Sequence, residues 1–159
     1  MAKKILETGC CPRFNPKQWD GKILTWKNKK FVKSSVLCFF YMPLNFGSVI
    51  ISLMKKMDAA GASSPGWLGL SDHTSPFNMD IYVATDKAVP GCQNTQLDGK
   101  FLFKVYEGPF QKTGEWAKDF AAYCKKRGMA SGKLYMWYTT CPKCAKAYGK
   151  NYVVFVAEV

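Results

Sequence analysis

Residues 100–128, KFLFKVYEGPFQKTGEWAKDFAAYCKKRG, read as a strand, a sharp turn and an amphipathic helix, and the chain carries this succession twice. The strand segment FLFKVYE is rich in aromatic and β-branched residues, which suit a pleated surface. Gly108-Pro109 ends it, because proline has no N–H for the ladder and glycine permits a tight turn. Thr113 is placed to cap a helix with Glu115 in its first turn. Trp116, Phe120, Tyr123 and Cys124 then recur at helical spacing on one face. Lys125, Lys126 and Arg127 suit the negative end of the helix dipole, and Gly128 is a C-terminal stop.

The earlier copy is VLCFFYMPLNFGSVIISLMKKMDAAG, with Pro43 standing 66 residues before Pro109. Asn45 is its expected cap, and Phe46, Val49, Ile50, Leu53, Met54 and Met57 form the apolar stripe that Gly61 ends. The same shift brings residues 68–72 onto 134–138, both short strand candidates. The closing strands IYVA (81–84) and VFVA (154–157) match at a shift of 73 residues, the extra length lying in the loop that holds Cys141 and Cys144. The pattern predicts an α+β fold of two tandem β-α-β-β units with pseudo-two-fold symmetry, at about 35–85 and 93–159. Both helices are expected on one face of an antiparallel sheet, with a ligand cleft on the other. Residues 1–34 stand outside this repeat as an N-terminal extension, expected to pack on the body formed by residues 35–159. Within it KILTWKNKKFVK reads as a hairpin turning at Asn28. Residues 71–78, SDHTSPFN, read as a loop, with His73 as a solvent group.

At 159 residues the chain is long enough to bury a core, and no apolar run is long enough to span a membrane, so no membrane partner is expected. MAKKILETGCC has no hydrophobic leader region, so a cytoplasmic location is expected. The net charge is +12, with 23 Lys and Arg against 11 Asp and Glu. Such a balance favours anionic partners, and a nucleic acid or an acidic protein is one reading of the function. The lysines are spread along the chain, with a concentration at Lys17, Lys22, Lys27, Lys29, Lys30 and Lys33, which also suits a solvated surface. Aromatic residues make up 15% of the chain. Some of these rings are expected to line an apolar site for a small molecule.

Four motifs, IYVATDKAVPG, KVYEGPF, LYMWY and VVFVA, carry a resemblance to the GyrI-like small-molecule-binding domain, also met as the effector-binding domain of multidrug regulators. The likeness covers residues 35–159. It implies a pair of β-α-β-β units and a cleft that takes hydrophobic, often cationic or polycyclic, compounds. Some relatives are similar to hydrolases that open strained electrophilic rings with a pocket acid. Where many relatives carry a Glu two residues before the tyrosine of the second unit's middle strand, matching Tyr138, this chain has Met136. Asp72, Asp80 and Glu158 are the candidate substitutes. No helix-turn-helix precedes this region, so the chain is expected to lack a DNA-binding domain of its own and to act with a separate regulatory protein as partner.

Strand alternation puts Met136 and Tyr138 on one face and Tyr135 and Trp137 on the other. The family likeness favours the first pair as ligand-facing, and Trp67, Tyr82 and Tyr106 complete the expected ligand set. Cys141-Pro142-Lys143-Cys144 has the spacing that brings two thiolates to one tetrahedral zinc, and Cys10 and Cys11 could supply the other two ligands. A redox C-x-x-C or plain reduced thiols remain alternatives, so no cofactor other than zinc is expected. Glu107 and Asp80, at strand ends, are further acid candidates. Two functions follow: a stand-alone sensor or sequestering protein for hydrophobic compounds, or a small hydrolase acting on electrophilic hydrophobic compounds in the same cleft.

Overall fold

The structure is a computed structural model, and it describes residues 14–40, 42–63, 68–129, 132–139 and 149–159. The chain is α+β. Its strands are β1 (Ile23–Phe39), β2 (Met42–Pro43), β3 (Gly69–Ser75), β4 (Asn78–Ala84), β5 (Gln93–Glu107), β6 (Leu134–Tyr138) and β7 (Tyr152–Glu158). Its helices are α1 (Phe46–Ala59) and α2 (Thr113–Lys126). The described residues fall into two compact units, one of residues 25–99 and one of residues 14–24 with 100–159.

In the 25–99 unit, β4 lies between β1 and β3 and is antiparallel to both. Alternation along these strands sorts the side chains. Val32, Val36, Met79, Ile81 and Val83 face α1 and pack with its Leu53 and Met57. Phe46, Val49, Ile50 and Met54 pack partly buried against the same cluster, as the apolar stripe predicts. Gly61, at φ +67, follows the helix in the left-handed conformation. Asn45 behaves differently from expectation. Its side chain makes no cap bond to α1 and instead accepts a hydrogen bond from the Leu37 N–H at 2.8 Å. It fastens the start of the helix to β1 rather than capping it.

Three further expectations are corrected in this unit. The segment read as a hairpin is one continuous strand, β1. Asn28 does take a positive φ of 52°, but the strand runs on through it, with its N–H held by the Asp98 carboxylate. Asparagine tolerates this conformation better than most residues. The segment read as a loop at residues 71–78 is a hairpin: β3 runs to Ser75 and β4 begins at Asn78. His73 is therefore a strand residue opposite Met79.

In the 100–159 unit, β7 lies between β5 and β6, antiparallel to both. Leu102, Tyr106, Val153, Phe155 and Ala157 face α2 and bury its Trp116, Phe120 and Cys124. The helix begins at Thr113 with Lys112 in the capping position and no side-chain cap bond. Gly108, at φ +140, makes the turn out of β5, and a Cβ there would sit 3.4 Å from the Trp116 ring. Residues 20–22 run beside β5: Gly21 N–H donates to the Phe103 carbonyl and Phe103 N–H to the Lys22 carbonyl, both at 2.8 Å. This places Trp19 on Phe103 and Trp137, and Phe14 on Trp137 and Tyr152. Of the expected extension, Phe14 and Trp19 thus pack on the sheet face opposite α2, while residues 23–34 are part of β1.

Phe120 is 3% exposed and sits at the centre of the α2 cluster. Phe120→Ala is expected to cost about 3–5 kcal/mol in urea unfolding. Ile51→Ala, at an exposed position on α1, should change stability by less than about 0.5 kcal/mol.

Candidate functional site

The face of the 25–99 sheet turned away from α1 carries a connected polar cluster. Register decides its membership. Ser35 pairs with Asp80 and Lys33 with Tyr82 across β1 and β4, while Asp72 pairs with Asp80 across β3 and β4. Directly opposed residues share a face with Cβ atoms about 4.5–5.5 Å apart. Two carboxylates therefore stand side by side, with a serine hydroxyl and a lysine ammonium on the next strand.

Asp80 is held by named donors. Ser35 Oγ donates to Oδ1 at 3.0 Å, Asn78 Nδ2 donates to Oδ1 at 3.1 Å, and Lys33 Nζ lies 3.5 Å from Oδ2. Asn78 is itself fixed by a 2.7 Å bond from its amide to Thr74 Oγ1. Burial works against the charged form of Asp80. The hydrogen bonds from Asn78 and Ser35, and then the Lys33 ammonium, outweigh it and set its pKa below the ordinary carboxylate value. Lys33 is pushed the other way. It donates to the Tyr82 phenol, and this bond and then Asp80 raise its pKa, keeping it an ammonium. Its Nζ also lies 5.4 Å from the centre of the Tyr82 ring. Beside this pair, Phe31 meets Tyr82 edge-on at 6.4 Å and Trp26 at 5.8 Å. Lys29, over Trp26 at 5.6 Å, has its pKa lowered by burial. The cluster thus offers a fixed negative charge, a fixed positive charge and a second carboxylate, all beside an aromatic row.

The expected ligand set is distributed otherwise. Tyr82 lies in this cluster, 5% exposed. Tyr106, Met136 and Tyr138 belong to the other unit, on the side of its sheet that packs against α2. Tyr106 stacks on Trp116 and donates to Asp119 Oδ2 at 2.7 Å. Burial and then this hydrogen bond push its phenol pKa up, so it holds its proton. Met136 accepts a weak bond from the Tyr138 hydroxyl at 3.4 Å. Tyr135 and Trp137 take the opposite face, and both are buried. Trp67 lies outside the described residues, as do Cys10, Cys11, Cys141 and Cys144. Among the described residues no group of three or more His, Cys, Asp and Glu could hold a metal ion. Of the acid candidates, Asp72 and Asp80 come together, while Glu107 and Glu158 are exposed at the ends of β5 and β7. His73 is on the α1 side of β3, and burial lowers its pKa against the pull of Asp72.

Ser35 was absent from the expected site residues, and Lys33 entered only as one lysine of a basic stretch. Their signal is the alternation of KSSVL, but it points to a site only once β1 is known to pair with β4 in this register. No helix among the described residues is long and apolar enough to cross a membrane.

Asp80 also sets a pH dependence. Because its folded pKa is depressed, the stability it contributes is present above the unfolded aspartate pKa of about 3.9 and is lost as pH falls through the folded value. Acid titration of thermal stability should therefore show a fall below about pH 4 that is shallower in Asp80→Asn.

Against known proteins, the model of the family described as bacterial hydrolase matches residues 1–159. No curated protein matches the chain.

Proposed function

The chain belongs to the bacterial hydrolase family, and from that premise we propose that it hydrolyses a hydrophobic, electrophilic small molecule at the Asp72–Asp80 pair. The observation that carries this reading is the register of β3 and β4, which sets these two carboxylates directly opposite each other. Paired carboxylates with different surroundings are a recurrent means of acid–base hydrolysis. Here Asp80 is kept ionised by Ser35, Asn78 and Lys33. It accepts a proton from water as the water oxygen bonds to the electrophilic carbon. As the bond to the leaving group breaks, the Lys33 ammonium gives that group a proton. Proton return from Asp80 to Lys33, 3.5 Å away, restores both groups. Asp72, opposite Asp80 across β3 and β4, is the second carboxylate of the pair.

The substrate class is inferred from the surroundings. The buried rings of Trp26, Phe31 and Tyr82 make the ground beside the cluster apolar, which favours a hydrophobic compound. The resemblance to GyrI-like domains belongs to this reading, as does a tandem origin of the two units. Apart from the two-residue β2, their element order is the same, strand-helix-strand-strand, and this supports it. Binding of a hydrophobic ligand without turnover, as a sensor or sequestering protein would do, is the alternative outcome.

The test is mass spectrometry of a panel of hydrophobic esters, lactones and strained-ring electrophiles incubated with the protein. Conversion should fall by about 10²-fold or more in Asp80→Asn and Asp72→Asn with far-UV circular dichroism unchanged. Equal conversion by the parent and both variants would sink the assignment. Saturable quenching of tryptophan emission with the compound intact would make the protein a binder.

A further inference from the structure

The 25–99 unit ends in an apolar tip. Leu37 and Phe39 at the end of β1, Phe40 after it, Leu44 before α1, and Phe77 in the β3–β4 turn are each more than half exposed, Phe40 the most at 66%. They form one patch. Phe40 meets Phe39 at 4.7 Å and Phe77 at 5.5 Å between ring centres. Leu44 N–H donates to the Leu37 carbonyl, and Cys38 N–H to the Phe77 carbonyl, so three chain segments are tied together there. Phe40 holds a φ of +46°, which a bulky residue seldom adopts. A protein with no use for such a patch rarely exposes three phenylalanines in contact.

Charge indicates what covers it. Residues 37–57 contain no Asp or Glu, and their only charges are Lys55 and Lys56. Residues 74–79 are uncharged, and the whole chain carries +12. Two copies meeting at this tip would bring two strongly positive bodies together, which opposes self-association. An anionic lipid surface reverses that term, attracting the basic body while the phenyl rings enter the headgroup region. We propose that the tip docks on an anionic lipid surface. The tip lies beyond Ser35 and Asp80 on the same strands, since Leu37 pairs with Asn78 two residues from the Ser35–Asp80 pair. Docking would therefore bring the polar cluster close to compounds dissolved in the lipid. The proposal stands independently of whether that cluster hydrolyses them.

The test is co-sedimentation of the full chain with vesicles of phosphatidylcholine alone and of an equimolar mixture with phosphatidylglycerol. Phe40→Asn and Phe77→Ser are the variants, because both positions are exposed and asparagine tolerates a positive φ. Thermal midpoints establish that the variants fold. The parent should partition onto the anionic vesicles and less so at high salt, with each variant losing about tenfold. Two results would overturn the proposal: no preference for anionic vesicles in the parent, or equal partitioning by parent and variants. A concentration-dependent dimer in sedimentation velocity that both variants abolish would assign the patch to a second copy instead.

Discussion

Strands send successive side chains to opposite faces, and in each unit of this protein that alternation decides what is core and what is free for chemistry. A slip of β4 by one residue against β1 would turn Met79, Ile81 and Val83 away from α1 and bring Asp80 and Tyr82 beneath it. An ionised carboxylate buried under an apolar helix would be prohibitively costly. The hydrophobic cluster under α1 and the polar cluster on the other face thus fix the same register from two sides. Neither could be built without the other. In the 100–159 unit the rule gives a different result. Both faces of its sheet carry large rings, one against α2 and the other under Trp19 and Phe14.

Much of the fold was legible because it is written in local terms. The apolar stripes of α1 and α2, their glycine stops and the strand runs at 81–84, 101–107 and 154–157 all lie where periodicity and punctuation put them. Non-local terms were not legible. Asn45 and Thr113 look like caps, yet Asn45 finds a better partner in the Leu37 N–H, which sequence spacing does not announce. Asn28 followed by lysines looks like a turn, yet β1 continues because Phe31–Leu37 find partners on β4. Pro76 and Phe77 were read as part of a loop of eight residues, although two residues suffice for the β3–β4 turn.

The candidate site was half legible for the same reason. Asp72 and Asp80 stood out as acids, but nothing in their spacing says that they oppose each other until a two-residue turn is placed between Ser75 and Asn78. The resemblance-based ligand set drew attention to Met136 and Tyr138, whose parity was read correctly. Which face of that strand meets the helix was not. That depends on Leu102, Tyr106 and Phe155 all pointing at α2, a property of three paired strands and not of one. Lys33 seemed one of many surface lysines, and only the neighbouring Tyr82 and Asp80 distinguish it.

The Tyr106–Asp119 bond has an optical consequence. A phenol that is 9% exposed, stacked on Trp116 and bonded to a carboxylate cannot ionise in place as exposed tyrosines do in alkali. Its phenolate band near the red edge of the tyrosine spectrum can arise only when α2 leaves the sheet. In strong base the delayed growth of that absorbance follows the opening of this unit in time, with no label attached.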